Sequence, residues 1–158
     1  MLGRALLADG HAVRASSRRA EALEACAADG LEPWEGDPSR IATLTQALDA
    51  VTVLCWLLGA ARGTADEVAA LHTTRLARML EETVDTTVRG VVYEAPADGA
   101  GDLRARGEAV VADAAARWAI PTAVLDHDPA DADGWVAAAR TEVGRLLGIV
   151  RSPAVGFP

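Results

Sequence analysis

Short apolar runs alternate with longer segments of helical periodicity along the whole chain. The apolar runs predict strands over residues 11–16, 31–35, 51–58, 89–94 and 121–125. The run at 51–58, with the sequence VTVLCWLL, is apolar almost without alternation, as expected for a parallel strand covered on both faces. A helix that ends at Gly10 comes first, and the later segments predict helices over residues 18–29, 39–48, 64–84, 103–118 and 130–147.

This regular alternation predicts an α/β fold. Strands joined through helices form a parallel sheet with helices on both faces, which gives three layers. Ligands of such sheets bind beyond the carboxyl ends of the strands, so the residues that directly follow each strand are the candidate site. A chain of 158 residues suits one domain, expected over residues 1–147, and residues 148–158 carry two prolines and read as a flexible tail.

The charged residues exclude several kinds of chemistry. The formal net charge is −8, from 15 basic and 23 acidic residues, and this balance argues against nucleic-acid binding. All basic residues are arginine, because the chain contains no lysine. Mechanisms that need a lysine amine, such as a Schiff base or a phosphate-loop lysine, are therefore excluded.

Two cysteines without metal-site or redox spacing, Cys26 and Cys55, indicate a reduced, cytoplasmic protein. Residues 1–10 lack the pattern of a signal peptide, and no apolar run reaches the ~18 residues of a membrane span. We therefore expect no membrane partner, and homo-oligomerisation stays open.

Several motifs follow the order of one known family. Residues 1–7 (MLGRALL) resemble the end of the glycine-rich segment of extended and atypical short-chain dehydrogenases/reductases, and residues 8–13 (ADGHAV) resemble the entry to that family's second strand. Residues 36–38 (GDP) resemble the turn after its third strand, and residues 89–94 and 118–125 resemble its fifth and sixth strands. The resemblance covers about residues 1–147, and within the family the NAD-dependent epimerase/dehydratase-like, NAD(P)-binding proteins are the most similar. It implies a Rossmann-like fold and a dinucleotide cofactor.

The resemblance also implies that the first strand and most of the glycine loop are missing. In the family, a strand and two further glycines precede the position that matches Gly3, where backbone amides approach the cofactor pyrophosphate. The chain therefore resembles an N-terminally truncated member, or its natural start lies upstream. The missing strand belongs between the second and fourth strands of the family's sheet. Without it, we expect those two strands either to pair directly or to leave a gap.

The resemblance places cofactor-binding residues after the strands. Arg18 and Arg19 follow the second strand, where arginine forks would hold the 2′-phosphate of NADP and Ser16 and Ser17 could add hydroxyl donors. NADP is therefore preferred to NAD. The same residues could also simply open a solvated helix. The remaining candidates are Gly3 at the pyrophosphate, Asp37 and Pro38 at the adenine, and Leu57, Leu58 and Gly59 at the ribose. Asp37 could equally be a turn residue, and Gly59 could merely end a strand.

The catalytic residues are less well defined. The family's Y-x-x-x-K pair is absent, because the lone tyrosine, Tyr93, is followed four residues later by Ala97. Tyr93 and Glu94 are thus weak catalytic candidates, and Glu94 would need a raised pKa to act as a base. Two functions follow: an NAD(P)-dependent oxidoreductase or epimerase-like enzyme acting on a small molecule, or a non-catalytic Rossmann module with a regulatory or oligomerisation role.

An acidic loop follows the last strand. It contains Asp126, His127 and Asp128, with Asp131 and Asp133 close behind. Carboxylates and histidine can bind metal ions, but this spacing matches no known metal loop. Solvated acids at the start of a helix explain the loop better, so we expect no metal site.

Overall fold

The computed structural model describes residues 1–96, 101–126 and 130–148. In this part of the chain the strands are β1 (Arg14–Ser17), β2 (Glu32–Glu35), β3 (Val53–Trp56), β4 (Gly90–Glu94) and β5 (Thr122–Leu125). The α-helices are α1 (Leu2–Ala8), α2 (Ala20–Ala28), α3 (Ala65–His72), α4 (Thr74–Thr83), α5 (Gly101–Trp118) and α6 (Ala132–Leu146). The alternation of strand and helix confirms the predicted α/β class. The tail expected over 148–158 lies almost wholly outside the described residues.

Every strand pair in the described residues is parallel, but the strands form two separate ladders. β1 pairs with β2, while β3, β4 and β5 pair in that order. β1 and β3 begin at the same end of the molecule, because Arg14 Nη1 donates to the carbonyls of Ala47 and Asp49, just ahead of β3. No ladder in the described residues joins β1 to β3. The structure therefore has a gap between β1 and β3, which is one of the two arrangements expected for these strands.

Helices cover both faces of the three-stranded sheet, as predicted. β4 is buried along its whole length, and its side chains alternate between two apolar clusters. On one face Val91 and Tyr93 pack with residues of α4 and α5, among them Leu76, Leu80 and Val111. On the other face Val92 packs with residues of α1 and α6, among them Leu2, Leu6, Ala139 and Val143. The core thus lies around β4, and the carboxyl ends of the strands are left for ligands.

Two predicted helices were wrong in their extent. The segment 39–48 forms two short 3-10 turns, Ile41–Thr43 and Thr45–Leu48, instead of one α-helix. The Thr43 hydroxyl lies 2.8 Å from both the Asp37 N–H and the Arg40 carbonyl, and such side-chain bonds compete with helical ones.

The segment 64–84 forms two helices that meet at Thr73. The backbone there has φ −129° and ψ −92°, and the Thr73 hydroxyl donates to the Ala69 carbonyl at 2.7 Å. The longest helix in the described residues is therefore α5, with 18 residues. None of the helices in the described ranges has the length and apolar character needed to cross a bilayer.

Candidate functional site

The carboxyl ends of all five described strands lie at one edge of the molecule. Parallel pairing places the ends of β1 and β2 together, and likewise the ends of β3, β4 and β5. The start of α3, which follows β3, shows how the ends of β1 and β2 lie relative to the ends of β3, β4 and β5. There the Thr64 backbone N–H and hydroxyl lower the pKa of Glu67, and the positive charge of Arg18 beyond β1 lowers it further. The loops after β1 and β3 are therefore neighbours, as a ligand that spans both would require.

The exit of β1 carries the two arginines that the sequence singled out. Ser16 is exposed and Ser17 half-buried, whereas Arg18 and Arg19 are both exposed. The Ser17 hydroxyl accepts from the backbone N–H of Arg19 at 3.1 Å, directly before α2 begins. Within the described ranges, neither guanidinium forms a hydrogen bond or an ion pair. Both are therefore available to an anion at this edge.

Asp37 and Pro38 follow β2 and are half-buried. The Asp37 carboxylate accepts from the Ser39 backbone N–H at 2.9 Å, and its other oxygen lies 3.7 Å from Arg40 Nε. Asp37 thus forms the turn that one interpretation of the sequence anticipated. The carboxylate stays at the ligand edge, so contact with an adenine stays a prediction.

The ends of β3 and β4 are joined by a buried carboxylate. Glu94, which ends β4, is 9% exposed. Its Oε2 atom accepts from the Gly59 backbone N–H at 2.8 Å, and its Oε1 atom accepts from Trp135 Nε1 in α6 at 2.8 Å. A Cβ atom on Gly59 would lie 2.4 Å from the Ala95 carbonyl oxygen and 2.7 Å from Glu94 Cγ. Gly59 therefore lacks a side chain because Glu94 and Ala95 fill that space, a reason the sequence did not suggest.

Tyr93 lies in the apolar cluster between β4 and the helices α4 and α5. Its side chain is fully buried, and its hydroxyl lies 2.9 Å from His72 Nδ1. Burial raises the pKa of Tyr93 to about 12, and the charge of Glu108 adds to this shift. A tyrosine that transfers protons near neutral pH needs the opposite shift. The structure thus gives Tyr93 a packing role in the core, with His72 as its partner.

His72 is fully buried as well. Its Nε2 atom has no hydrogen-bond partner in the described residues, although the Leu58 carbonyl lies near enough to oppose the shift of the ring's pKa. Burial is the larger effect and lowers the pKa of His72. The neutral ring is therefore the form that this core holds.

The other cofactor candidates are held by apolar packing. Gly3 lies in α1, where a Cβ atom would meet Leu31 Cδ2 at 2.8 Å. Leu57 and Leu58 are half-buried and pack against opposite clusters of the core. These three residues therefore have structural roles, and the contact with cofactor predicted for them stays a prediction.

The acidic loop after β5 is partly described. Arg104 Nη2 lies 2.5 Å from Asp126 Oδ2, and Nη1 donates to Oδ1 at 2.8 Å. Asp131 caps α6 by accepting from the Gly134 N–H at 3.0 Å, as expected of an acid at a helix start. His127 and Asp128 lie outside the described residues. The described ranges contain no cluster of His, Cys, Asp or Glu able to hold a metal ion.

Comparison with known proteins supports the fold. No family model and no curated protein matches the chain. Two solved structures of the triphenylmethane reductase of Citrobacter sp. are similar. The one complexed with NADP(H) has 19% identity and a TM-score of 0.57, over 72% of this chain and 39% of that chain. The other has 18% identity and a TM-score of 0.61, over 80% of this chain and 44% of that chain. The chain thus spans less than half of the length of these reductases, and the likeness shows a shared Rossmann-like fold.

The edge assembled in this way could hold an anionic, extended ligand. It has two exposed cations at β1, a turn at β2 and a tight glycine loop at β3. The order of the strands was enough to predict these positions. Trp135 was missed, because it reaches Glu94 from 41 positions further along the chain. No local pattern in the sequence connects the two residues.

Proposed function

We propose that the protein binds NADP along the carboxyl edge of its strands. The observation that carries this proposal is the pair Arg18 and Arg19, both exposed beyond β1 and without a hydrogen bond or ion pair in the described ranges. Planar guanidinium forks match the geometry of a phosphate, and each charge-assisted bond contributes about 1.5–3 kcal/mol. A carboxylate at this position would instead favour the free 2′-hydroxyl of NAD. The NADP(H) bound by the similar reductase supports the same assignment.

The rest of the dinucleotide would extend from β1 across the tips of β3 and β4. The adenine lies beside Asp37 and Pro38, and the nicotinamide half passes the tight loop at Gly59. Ligands of open parallel sheets run along this edge where the strand order changes direction. The charge of Arg18 reaches Glu67 at the start of α3, which supports a path that joins the two ladders.

The activity that fits this site best is that of an NADP-dependent oxidoreductase related to the atypical short-chain dehydrogenases/reductases. Hydride transfer would come from the cofactor, while the protein supplies position and field. The substrate is a small molecule at the tips of β3 to β5. The chain cannot form the tyrosine–lysine pair, because it has no lysine. Any proton donor is therefore a different group from the one that this family usually employs.

Paired titrations test this proposal. NADPH and NADH are titrated into the wild-type protein and into the Arg18→Ala and Arg19→Ala variants, and binding is followed by nicotinamide fluorescence. We expect the wild type to prefer NADPH, and each variant to lose about tenfold or more in NADPH affinity with little change for NADH.

Arg89→Ala serves as a matched control, because Arg89 is an exposed arginine directly before β4, at the edge opposite the proposed site. It should leave both affinities unchanged. Equal losses for NADPH and NADH in the Arg18 and Arg19 variants would remove the phosphate assignment. Failure of both cofactors to bind the wild type would overturn the function as a whole.

A further inference from the structure

Glu94 carries a charge that its own hydrogen bonds leave uncompensated. Its two contacts come from a backbone N–H and an indole N–H, both neutral donors. The described residues place no arginine or histidine nitrogen within 4.0 Å of its carboxylate. Arg104, which lies on the neighbouring helix α5, is engaged by Glu108 and Asp126 instead. A buried carboxylate without a cation is costly, and removing it from water strengthens its field on anything nearby.

The two hydrogen bonds explain why position 94 carries a carboxylate, which has two acceptor oxygens. Gly59 and Trp135 each offer an N–H, and a glutamine could accept from only one of them without turning its own amide against the other. The hydrogen bonds therefore account for the shape of the side chain at position 94. They do not neutralise the negative charge placed at the tip of β4.

We propose that Glu94 makes the site prefer a positively charged ring, and that the protein therefore binds oxidised NADP⁺ more tightly than NADPH. This inference rests on the proposed function, because it requires the nicotinamide to lie at the tip of β4. The oxidised ring carries one positive charge and the reduced ring none. The two cofactors otherwise share the same phosphates and sugars. A fixed, buried carboxylate beside the ring thus acts on one redox state alone.

The experiment compares the ratio of the Kd for NADPH to the Kd for NADP⁺ in the wild type and in variants. The wild type should bind NADP⁺ the more tightly. In Glu94→Gln we expect this ratio to fall by about tenfold, equivalent to about 1.4 kcal/mol, because the charge is lost. Thermal unfolding establishes that each variant is folded before it is titrated.

Two control variants separate charge from geometry. Trp135→Phe removes one hydrogen bond from Glu94 but keeps the carboxylate, so affinities can change while the ratio stays near that of the wild type. Glu35→Gln removes an exposed carboxylate from the end of β2, at the same edge, and should also leave the ratio unchanged. If Trp135→Phe lowers the ratio as far as Glu94→Gln does, then Glu94 acts through geometry and not through its charge, and the inference is overturned.

The wild type alone is also decisive, should Glu94→Gln fail to fold. Equal affinities for NADP⁺ and NADPH, or tighter binding of NADPH, would contradict the inference and leave the proposed function standing. Absence of binding by either cofactor would instead remove the proposed function, and the inference with it. If a folded Glu94→Gln variant still binds NADP⁺ more tightly by the same factor as the wild type, the preference comes from another group and the role of Glu94 is refuted.

Discussion

Replacing Gly107 with alanine tests the buried contact between α5 and β4. Gly107 lies inside α5, and a Cβ atom there would come 2.0 Å from the Tyr93 hydroxyl and 2.9 Å from Tyr93 Cζ. In an unhindered helix interior the same change stabilises by about 1 kcal/mol, since alanine is the better helix former. Here the methyl group must displace the tyrosine ring or move the helix.

The expected cost follows from the contacts that would be lost. Overpacking a core costs about 1–3 kcal/mol, and separating the Tyr93 hydroxyl from His72 leaves buried polar groups unpaired, at about 1–3 kcal/mol more. After subtracting the gain in helix propensity, we expect a net destabilisation of ~3 kcal/mol. For a chain of this size, that lowers Tm by roughly 6–12 °C.

The assay is urea and thermal unfolding of a double-mutant cycle. Tyr93→Phe removes the hydroxyl that blocks the new methyl group, so Gly107→Ala should cost ~1–2 kcal/mol less in that background. Gly101→Ala, at the start of the same helix with no atom within 4 Å, should change stability by less than ~0.5 kcal/mol. Additive effects, or an equal cost at both glycines, would refute the proposed packing of Tyr93 against α5.

Two further predictions concern the core and the gap in the sheet. Burial lowers the pKa of His72 in the folded protein, so below pH ~6.5 the unfolded chain binds a proton at this residue more readily than the folded chain does. The free energy of unfolding should therefore fall from pH 7 towards pH 5, by at most ~1.4 kcal/mol per pH unit. His72→Gln should reduce this slope in urea unfolding, and an unchanged slope would contradict the assignment. In hydrogen exchange followed by NMR, the amides of β4 should be protected longest, whereas β1 and β3 should each contain faster amides on the edge that faces the gap. Uniform protection across β3 would show that the gap is closed.

The order of strands and helices could be predicted, because the two kinds of element repeat their apolar residues at different periods. Which strands lie side by side in the sheet could not be predicted. The run at 51–58 indicated a strand covered on both faces, yet Val53, Leu54 and Cys55 of β3 are only half-buried. An apolar run shows that a strand favours burial, and it does not show whether a second strand lies at its side. The break at Thr73 escaped prediction for a related reason, since a hydroxyl bond to a carbonyl leaves the apolar period intact.

The candidate site was predictable where it depends on chain order. Arg18 and Arg19 had to follow β1, and parallel strands bring all their carboxyl ends to one edge. The contacts between distant segments were not predictable. Gly59 was expected to make room for a ligand, but the structure fills that space with Glu94, and Trp135 completes the contact from α6. Such contacts depend on the packed structure, which one sequence does not reveal.

The most direct test of the central claim is an NMR map of the backbone amides during titration with NADPH. Shift changes should be concentrated after the strands, at residues 17–19, 37 and 57–59. The opposite edge, at Thr52 and Arg89, where Arg89 N–H donates to the Thr52 carbonyl at 2.8 Å, should stay unchanged. Shift changes centred on that opposite edge, or a spectrum that does not change at saturating NADPH, would contradict cofactor binding at the carboxyl ends of the strands.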